Sequence, residues 1–156
     1  MSPPKKTNVL RLLEAENLEH KVHLYSLDPH GFPTFDRGEN VFKTLVTSGG
    51  GNLYFVFCIP LALELNWRLA TEAAGTRKIG LIPQDSLLEL TGYERGGCSP
   101  LAMKKAFPTF LDETASLFDT ILISAGARGL QVELKPDDLL SLGRRLLPRM
   151  ELVGVT

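Results

Sequence analysis

The sequence predicts one α+β domain on a mixed sheet, and three observations carry that reading. Two β-rich runs, Val41 to Thr47 and Leu53 to Ile59, flank the glycine cluster Ser48-Gly49-Gly50-Gly51-Asn52, as a β-hairpin requires. A second pair, Phe118 to Ser124 and Leu130 to Leu134, flanks Ala125-Gly126-Ala127-Arg128-Gly129. Stretches of helical periodicity interleave irregularly with these strands, the pattern of an α+β or mixed-sheet domain.

Taken in order, the first helix runs from about Asn8 to Glu16, with Thr7 as N-cap and Val9, Leu10, Leu12 and Leu13 as its apolar stripe. His20 to Leu27 alternates loosely and reads as a strand. Asp28 to Asn40, with two prolines, two glycines and several charges, reads as a loop. Leu53 to Ile59 is apolar on both faces, which places it centrally in a sheet. Leu61, Leu65, Leu69 and Ala73 recur every four residues and predict a helix closed by Gly75. Pro83 to Thr91 predicts a short helix closed by Gly92. Tyr93 to Lys105 holds too many Gly and Pro breaks for a regular element. A last helix opens at Lys135-Pro136-Asp137-Asp138, with proline and acids in its first turn, and ends near Gly143.

Seventeen Lys and Arg stand against eighteen Asp and Glu in 156 residues, and 44 % of the chain is hydrophobic. That balance excludes a polybasic nucleic-acid clamp and a disordered charged tail, and it suits one domain spanning residues 1–156. The apolar runs fall short of the ~20 residues of a membrane helix. Nothing near the N-terminus has signal-peptide length, so a cytoplasmic protein without membrane association is expected. Two cysteines, Cys58 and Cys98, make neither a disulfide framework nor a zinc site by themselves.

Lys43 is the most informative residue. On a strand it shares a face with Val41 and Leu45, while Phe42 and Val46 point the other way, so an ammonium stands among apolar neighbours. Two readings fit: a stem packed on the sheet with its head in water, or a fixed cation at a pocket rim for a phosphate or carbonyl oxygen. The run Gly92-Tyr93-Glu94-Arg95-Gly96-Gly97-Cys98-Ser99-Pro100-Leu101 is either an ordinary surface loop or a close backbone approach to a ligand, with successive N–H groups forming an anion nest. Lys104, Lys105 and Arg128 add to Lys43 either a local positive patch or a solvated face.

His20, His23 and His30 lack metal-motif spacing. No Walker loop, dinucleotide fingerprint or Gly-x-Ser-x-Gly elbow is present, so neither metal nor cofactor is expected. Cys98 could be a nucleophile but has no nearby histidine in sequence, and Cys58 reads as a core residue.

Three motifs in order, Val41-Phe42-Lys43-Thr44-Leu45, then Thr91-Gly92-Tyr93-x-x-Gly96-Gly97-x-Ser99-Pro100-Leu101-x-x-Lys104-Lys105, then Ser124-x-Gly126-x-Arg128-Gly129-Leu130, resemble the YbaK/EbsC family. Its members are free-standing Cys-tRNA(Pro) deacylases related to the editing domain of bacterial prolyl-tRNA synthetases. The resemblance runs from the first helix to the helix after Pro136. It implies a YbaK-type α+β domain with a mixed, partly barrel-like sheet surrounded by helices. It also implies hydrolytic editing of mischarged tRNA, with the aminoacylated 3′ end of tRNA as partner and prolyl-tRNA synthetase as a possible second one. By that resemblance Lys43 and Gly96 are the catalytic candidates. Tyr25, Gly97, Ser99, Ser124, Gly126 and Arg128 are the substrate-binding candidates.

The implied mechanism is metal-free: the thiol of the substrate's own cysteine attacks its ester carbonyl and expels the tRNA as a cyclic thioester leaves. A thiol of pKa ~8.5 is partly ionised at neutral pH, and holding it in a near-attack geometry supplies ~7–11 kcal/mol of the barrier. The resemblance also marks departures. Asp28 to Asn40 is shorter than the helix-bearing segment of most relatives. Cys98 replaces an aliphatic residue, Ala102 a common glycine, and Gln131 an often acidic residue. A deacylase of Ala- or Ser-tRNA and a non-catalytic module that binds tRNA or a synthetase are the alternatives.

Overall fold

A computed structural model describes residues 6–32, 34 and 38–156. Helix α1 (Asn8–Ala15) is capped by Thr7, whose side chain accepts from the Leu10 N–H at 3.2 Å, and buries Val9, Leu10 and Leu13. Strand β1 (Lys21–Leu24) is shorter than the His20–Leu27 run. The expected loop after it begins with Asp28, whose carboxylate accepts from the His30 and Phe32 N–H groups; residues 33 and 35–37 of that loop lie outside the described residues.

The predicted glycine hairpin is β2 (Phe42–Gly50) and β3 (Leu53–Pro60), paired antiparallel from Phe42–Pro60 to Ser48–Tyr54. Helix α2 (Trp67–Ala74) starts a turn and a half later than the leucine spacing suggests. Asn66 caps it, accepting from the Leu69 N–H, and Gly75 closes it at φ +71°. After β4 (Gly80–Leu81) comes α3 (Ser86–Thr91), closed by Gly92 at φ +81°. Then follow β5 (Thr109–Asp112), a 3-10 turn (Glu113–Leu117), β6 (Ile121–Ala127), β7 (Leu130–Leu134), α4 (Pro136–Leu146) and β8 (Met150–Val153).

Two expectations are corrected here. Phe118 belongs to the end of the 3-10 turn, so the strand begins at Ile121. Gly143 is not a helix end: α4 continues to Leu146, and a Cβ at Gly143 would stand 2.7 Å from Cγ of Met150. The glycine lets the helix lie directly on β8.

The strands form a three-stranded sheet in the order β1-β7-β6 and a five-stranded sheet in the order β4-β2-β3-β5-β8. The first is antiparallel throughout; the second joins the β2–β3 hairpin to parallel β5 and β8. A single parallel bridge, Val41 with Leu122, seams the two sheets among the described residues, supported by the Asn40 side chain donating to the Thr120 carbonyl. This is the mixed, partly barrel-like arrangement, left unclosed.

β3 explains the architecture. Val56 and Cys58 face one core with Leu13, Phe42, Ile121, Ile123, Leu139 and Leu142, while Phe55, Phe57 and Ile59 face a second with Ala70 and Phe110. A strand buried on both faces must be apolar on both, as its sequence is. No helix among the described residues is long and apolar enough to cross a membrane.

Candidate functional site

A cavity of about 430 Å³ opens between the two sheets. One wall is β2, from Val41 through Lys43 and Thr44 to Leu45; the opposite wall is Ser124 of β6 and Gln131 of β7; the loop residues Arg95, Gly96 and Cys98 close a third side, with Phe32 and Leu61 at the margins. Neighbouring β2 residues reach the cavity although their side chains alternate. The reason is that β4 pairs with Thr47 and Ser48, leaving the Lys43–Val46 edge of β2 without a strand partner among the described residues. A second hollow of about 260 Å³ opens across Thr44, Leu45, Arg95, Gly96 and Cys98, with Leu81, Ile82 and Leu87 as its apolar side.

Lys43 is half-buried and makes no ion pair among the described residues. Among the described residues no carboxylate neutralises its ammonium, and none lines the cavity. That favours the rim-cation reading over a snorkelling surface lysine.

Gly96 has φ +86°, and a Cβ there would stand 3.1 Å from Cδ1 of Phe32 and 3.6 Å from Cγ of Arg128. Its N–H donates to no group among the described residues. Gly97 differs. Its N–H already donates to the Glu94 carbonyl at 3.0 Å, and a Cβ would meet the backbone of Ala127 and Arg128 at 3.0 Å. Gly97 thus seats the loop on the β6–β7 turn, while the Gly96 N–H is left free beside the cavity. Ser99 is fully buried, and its hydroxyl accepts from the Leu101 N–H at 3.3 Å, so it shapes the turn behind the cavity.

Ser124 lines the cavity, and its hydroxyl accepts from the Gly126 N–H at 3.1 Å. Gly126, at φ +98° in the bulge of β6, packs against Tyr93 and Val9 rather than the cavity. Arg128 stands behind the lining. Its guanidinium lies 4.7 Å from the centre of the Phe32 ring, with that of Arg95 at 5.6 Å, and its Nε donates to the Arg95 carbonyl at 2.7 Å. Tyr25 is not among the lining residues; its N–H donates to the Gly129 carbonyl at 2.7 Å, and its ring stacks on His23. The structure thus gathers Lys43, Gly96 and Ser124 at one cavity, holds Gly97, Ser99, Gly126 and Arg128 one layer back, and places Tyr25 beside His23, outside the lining. Lys104 and Lys105 are exposed and line neither hollow.

Phe32, Arg95, Thr44 and Gln131 were not legible as site residues. Their signal is tertiary: only the packing of two sheets brings them together.

Cys98 borders the cavity, yet burial pushes its thiol up to about 12, with the Thr91 side chain beside it only partly offsetting this. Burial likewise raises Cys58 to about 12. That shift keeps both thiols largely protonated near neutrality and disfavours Cys98 as a nucleophile. The histidines have local partners: His20 Nδ1 bonds the Leu18 carbonyl and His23 Nε2 donates to Glu133 at 2.8 Å.

A family model described as an aminoacyl-tRNA editing domain matches residues 36–142. A protein of Enterococcus faecalis (strain ATCC 700802 / V583), named as a candidate Cys-tRNA(Pro)/Cys-tRNA(Cys) deacylase, EbsC, is 37 % identical over 145 residues, covering 88 % of each chain. Among solved structures, the hypothetical protein APE2540 matches with a TM-score of 0.78 at 20 % identity, over 94 % of this chain and 97 % of its own. A protein described as a candidate trans-editing enzyme for prolyl tRNA synthetase matches with a TM-score of 0.71 at 20 % identity, over 95 % and 96 %.

Proposed function

The chain belongs to the aminoacyl-tRNA editing domain family, and on that premise we propose that it cleaves the ester of mischarged tRNA, with Cys-tRNA(Pro) as substrate. The observation that carries the reading is the convergence of Lys43, the Gly96 backbone and Ser124 on one cavity. Ester cleavage needs an electropositive place for a developing oxyanion, and the Gly96 N–H with the Lys43 ammonium supplies one.

Burial raises both of the protein's thiols, which favours a nucleophile brought by the substrate. The substrate's own thiol, with pKa ~8.5, serves. Its sulfur attacks the ester carbonyl, the C–S bond forms as the C–O bond to the terminal ribose breaks, and the ribose oxygen takes up a proton. The released cyclic thioester then hydrolyses in water to cysteine. The protein's task is to fold the aminoacyl group into attack geometry, worth ~7–11 kcal/mol.

A chain of net charge −1 grips phosphates weakly, so assistance from prolyl-tRNA synthetase in the cytoplasm fits this chemistry. The test is a panel of cysteinyl-, alanyl- and seryl-tRNA offered to the purified protein. Release of cysteine alone is expected. Comparable release of alanine or serine, which lack a thiol, overturns the thiol-assisted route in favour of water as nucleophile, and saturable binding without any product overturns catalysis.

A further inference from the structure

The edge of β2 that faces the two hollows is a row of backbone groups. In an antiparallel pair, alternate residues turn both their N–H and their C=O either toward the partner strand or away from it. The Val56 N–H donates to the Pro108 carbonyl on the far side of β3, so Val56 and its partner Val46 turn these groups away from each other. Thr44, two residues earlier and opposite Cys58, has the same phase. Its N–H and C=O therefore point out along the open edge, and neither bonds another group among the described residues. Thr44 is half-buried and lines both the cavity and the second hollow.

Resting on the deacylase reading above, we infer that the second hollow seats the adenine that ends the tRNA, with the N–H and C=O of Thr44 reading its edge. The acyl ester and that base hang from the same ribose, so their seats must adjoin. The two hollows do: they share Thr44, Leu45, Arg95, Gly96 and Cys98. An N–H beside a C=O complements a ring nitrogen beside an exocyclic amine. Adenine presents that pair, whereas hypoxanthine carries a carbonyl in the amine's place. The walls suit the flat faces of a ring. Ile82 and Leu87 form an apolar side, Leu81 is 65 % exposed and offers apolar surface for a base to cover, and Arg95 brings a planar guanidinium of the kind that stacks on bases. A volume of about 260 Å³ falls below the ~300–1,000 Å³ of pockets for drug-sized ligands and suits one ring system.

Two measurements test this. The first offers the purified protein cysteinyl acceptor-stem hairpins ending in adenosine, purine riboside or inosine, each corrected for spontaneous hydrolysis. Purine riboside lacks the amine, and inosine replaces it by a carbonyl. kcat/KM is expected to fall about 10-fold for purine riboside, the loss of one ordinary hydrogen bond, and about 100-fold for inosine, whose oxygen would face the Thr44 carbonyl. The second follows backbone amide and methyl resonances of the isotope-labelled full chain during titration with adenosine 5′-monophosphate and with ribose 5-phosphate. The Thr44 amide and the Leu81, Ile82 and Leu87 methyls should shift with the nucleotide and stay in place with the sugar phosphate. Equal kcat/KM for the three esters overturns the inference, as does a Thr44 amide unmoved at saturating nucleotide. Neither measurement needs a variant to fold. No turnover of any ester defeats the deacylase reading itself, whereas equal turnover of all three defeats only the base seat.

Discussion

A methyl group at Gly96 would stand 3.1 Å from Cδ1 of Phe32, tighter than an ordinary van der Waals contact. Phe32 is itself flanked by the Arg95 and Arg128 guanidiniums, so the ring cannot yield without disturbing both. Gly96→Ala also places a side chain at φ +86°. The expected result is a loss of about 1–2 kcal/mol in stability together with at least a ten-fold fall in kcat/KM, read by urea unfolding and deacylation kinetics.

Lys43→Ala removes the unpaired cation from the cavity wall without breaking an ion pair among the described residues. Cysteine release should fall about 10²–10³-fold, the usual effect of deleting one oxyanion-stabilising group, with the melting temperature within a few degrees of wild type. Single-turnover deacylation and thermal melts check the two halves. Full activity in this variant would defeat the assignment.

Cys98→Ser should keep activity within about three-fold, because a thiol raised to about 12 supplies almost no thiolate at working pH. The native wild-type protein should correspondingly react slowly with a thiol reagent at pH 8 and release both thiols only on unfolding. Rapid labelling of Cys98 in the folded protein would contradict this.

Ala102 sits at φ +57°, in the left-handed region, with its carbonyl accepting from the Tyr93 hydroxyl at 3.1 Å. Replacing it by glycine relieves a strain of about 1 kcal/mol. A rise in melting temperature of about 2–4 °C is expected for a chain of this size, measured by calorimetry.

Glu133 is held below its ordinary pKa, first by the hydrogen bond from Thr120 and then by that from His23. A carboxylate whose folded-state pKa is depressed stabilises the fold above its unfolded pKa, and that contribution disappears as the pH falls through the lower folded value. Melting temperature should therefore drop through the acid range below about pH 4.5. Glu133→Gln should flatten that acid limb while lowering the plateau near neutrality, seen in melts over a pH series. An unchanged acid limb would exclude Glu133 as a contributor.

Local signals in the sequence were reliable where local physics decides. Thr7, Gly75 and Gly92 mark helix ends because capping depends on a few adjacent residues, and both glycine hairpins follow from the same kind of rule. β5 and β8 were invisible: each has four residues, and they exist because a neighbouring parallel strand completes their hydrogen bonds. Gly143 misled, since a glycine needed for contact with Met150 looks in sequence like a glycine that ends a helix. At the site, Lys43 was visible as a charge among apolar residues. Gln131 was visible only as a departure from the family pattern; its place in the cavity wall emerges once two sheets are set face to face.

Lys43 and Ser124 stand on separate sheets that share one bridged pair among the described residues, Val41 with Leu122. The gap between cation and hydroxyl thus rests on that rivet, braced by Asn40 and by the core the two sheets share, rather than on a full ladder. Changes at that rivet, such as a bulkier or smaller side chain beside it, would widen or narrow the jaws while both jaws keep their own internal order. A cavity built this way can change its width without a change in the side chains that line it.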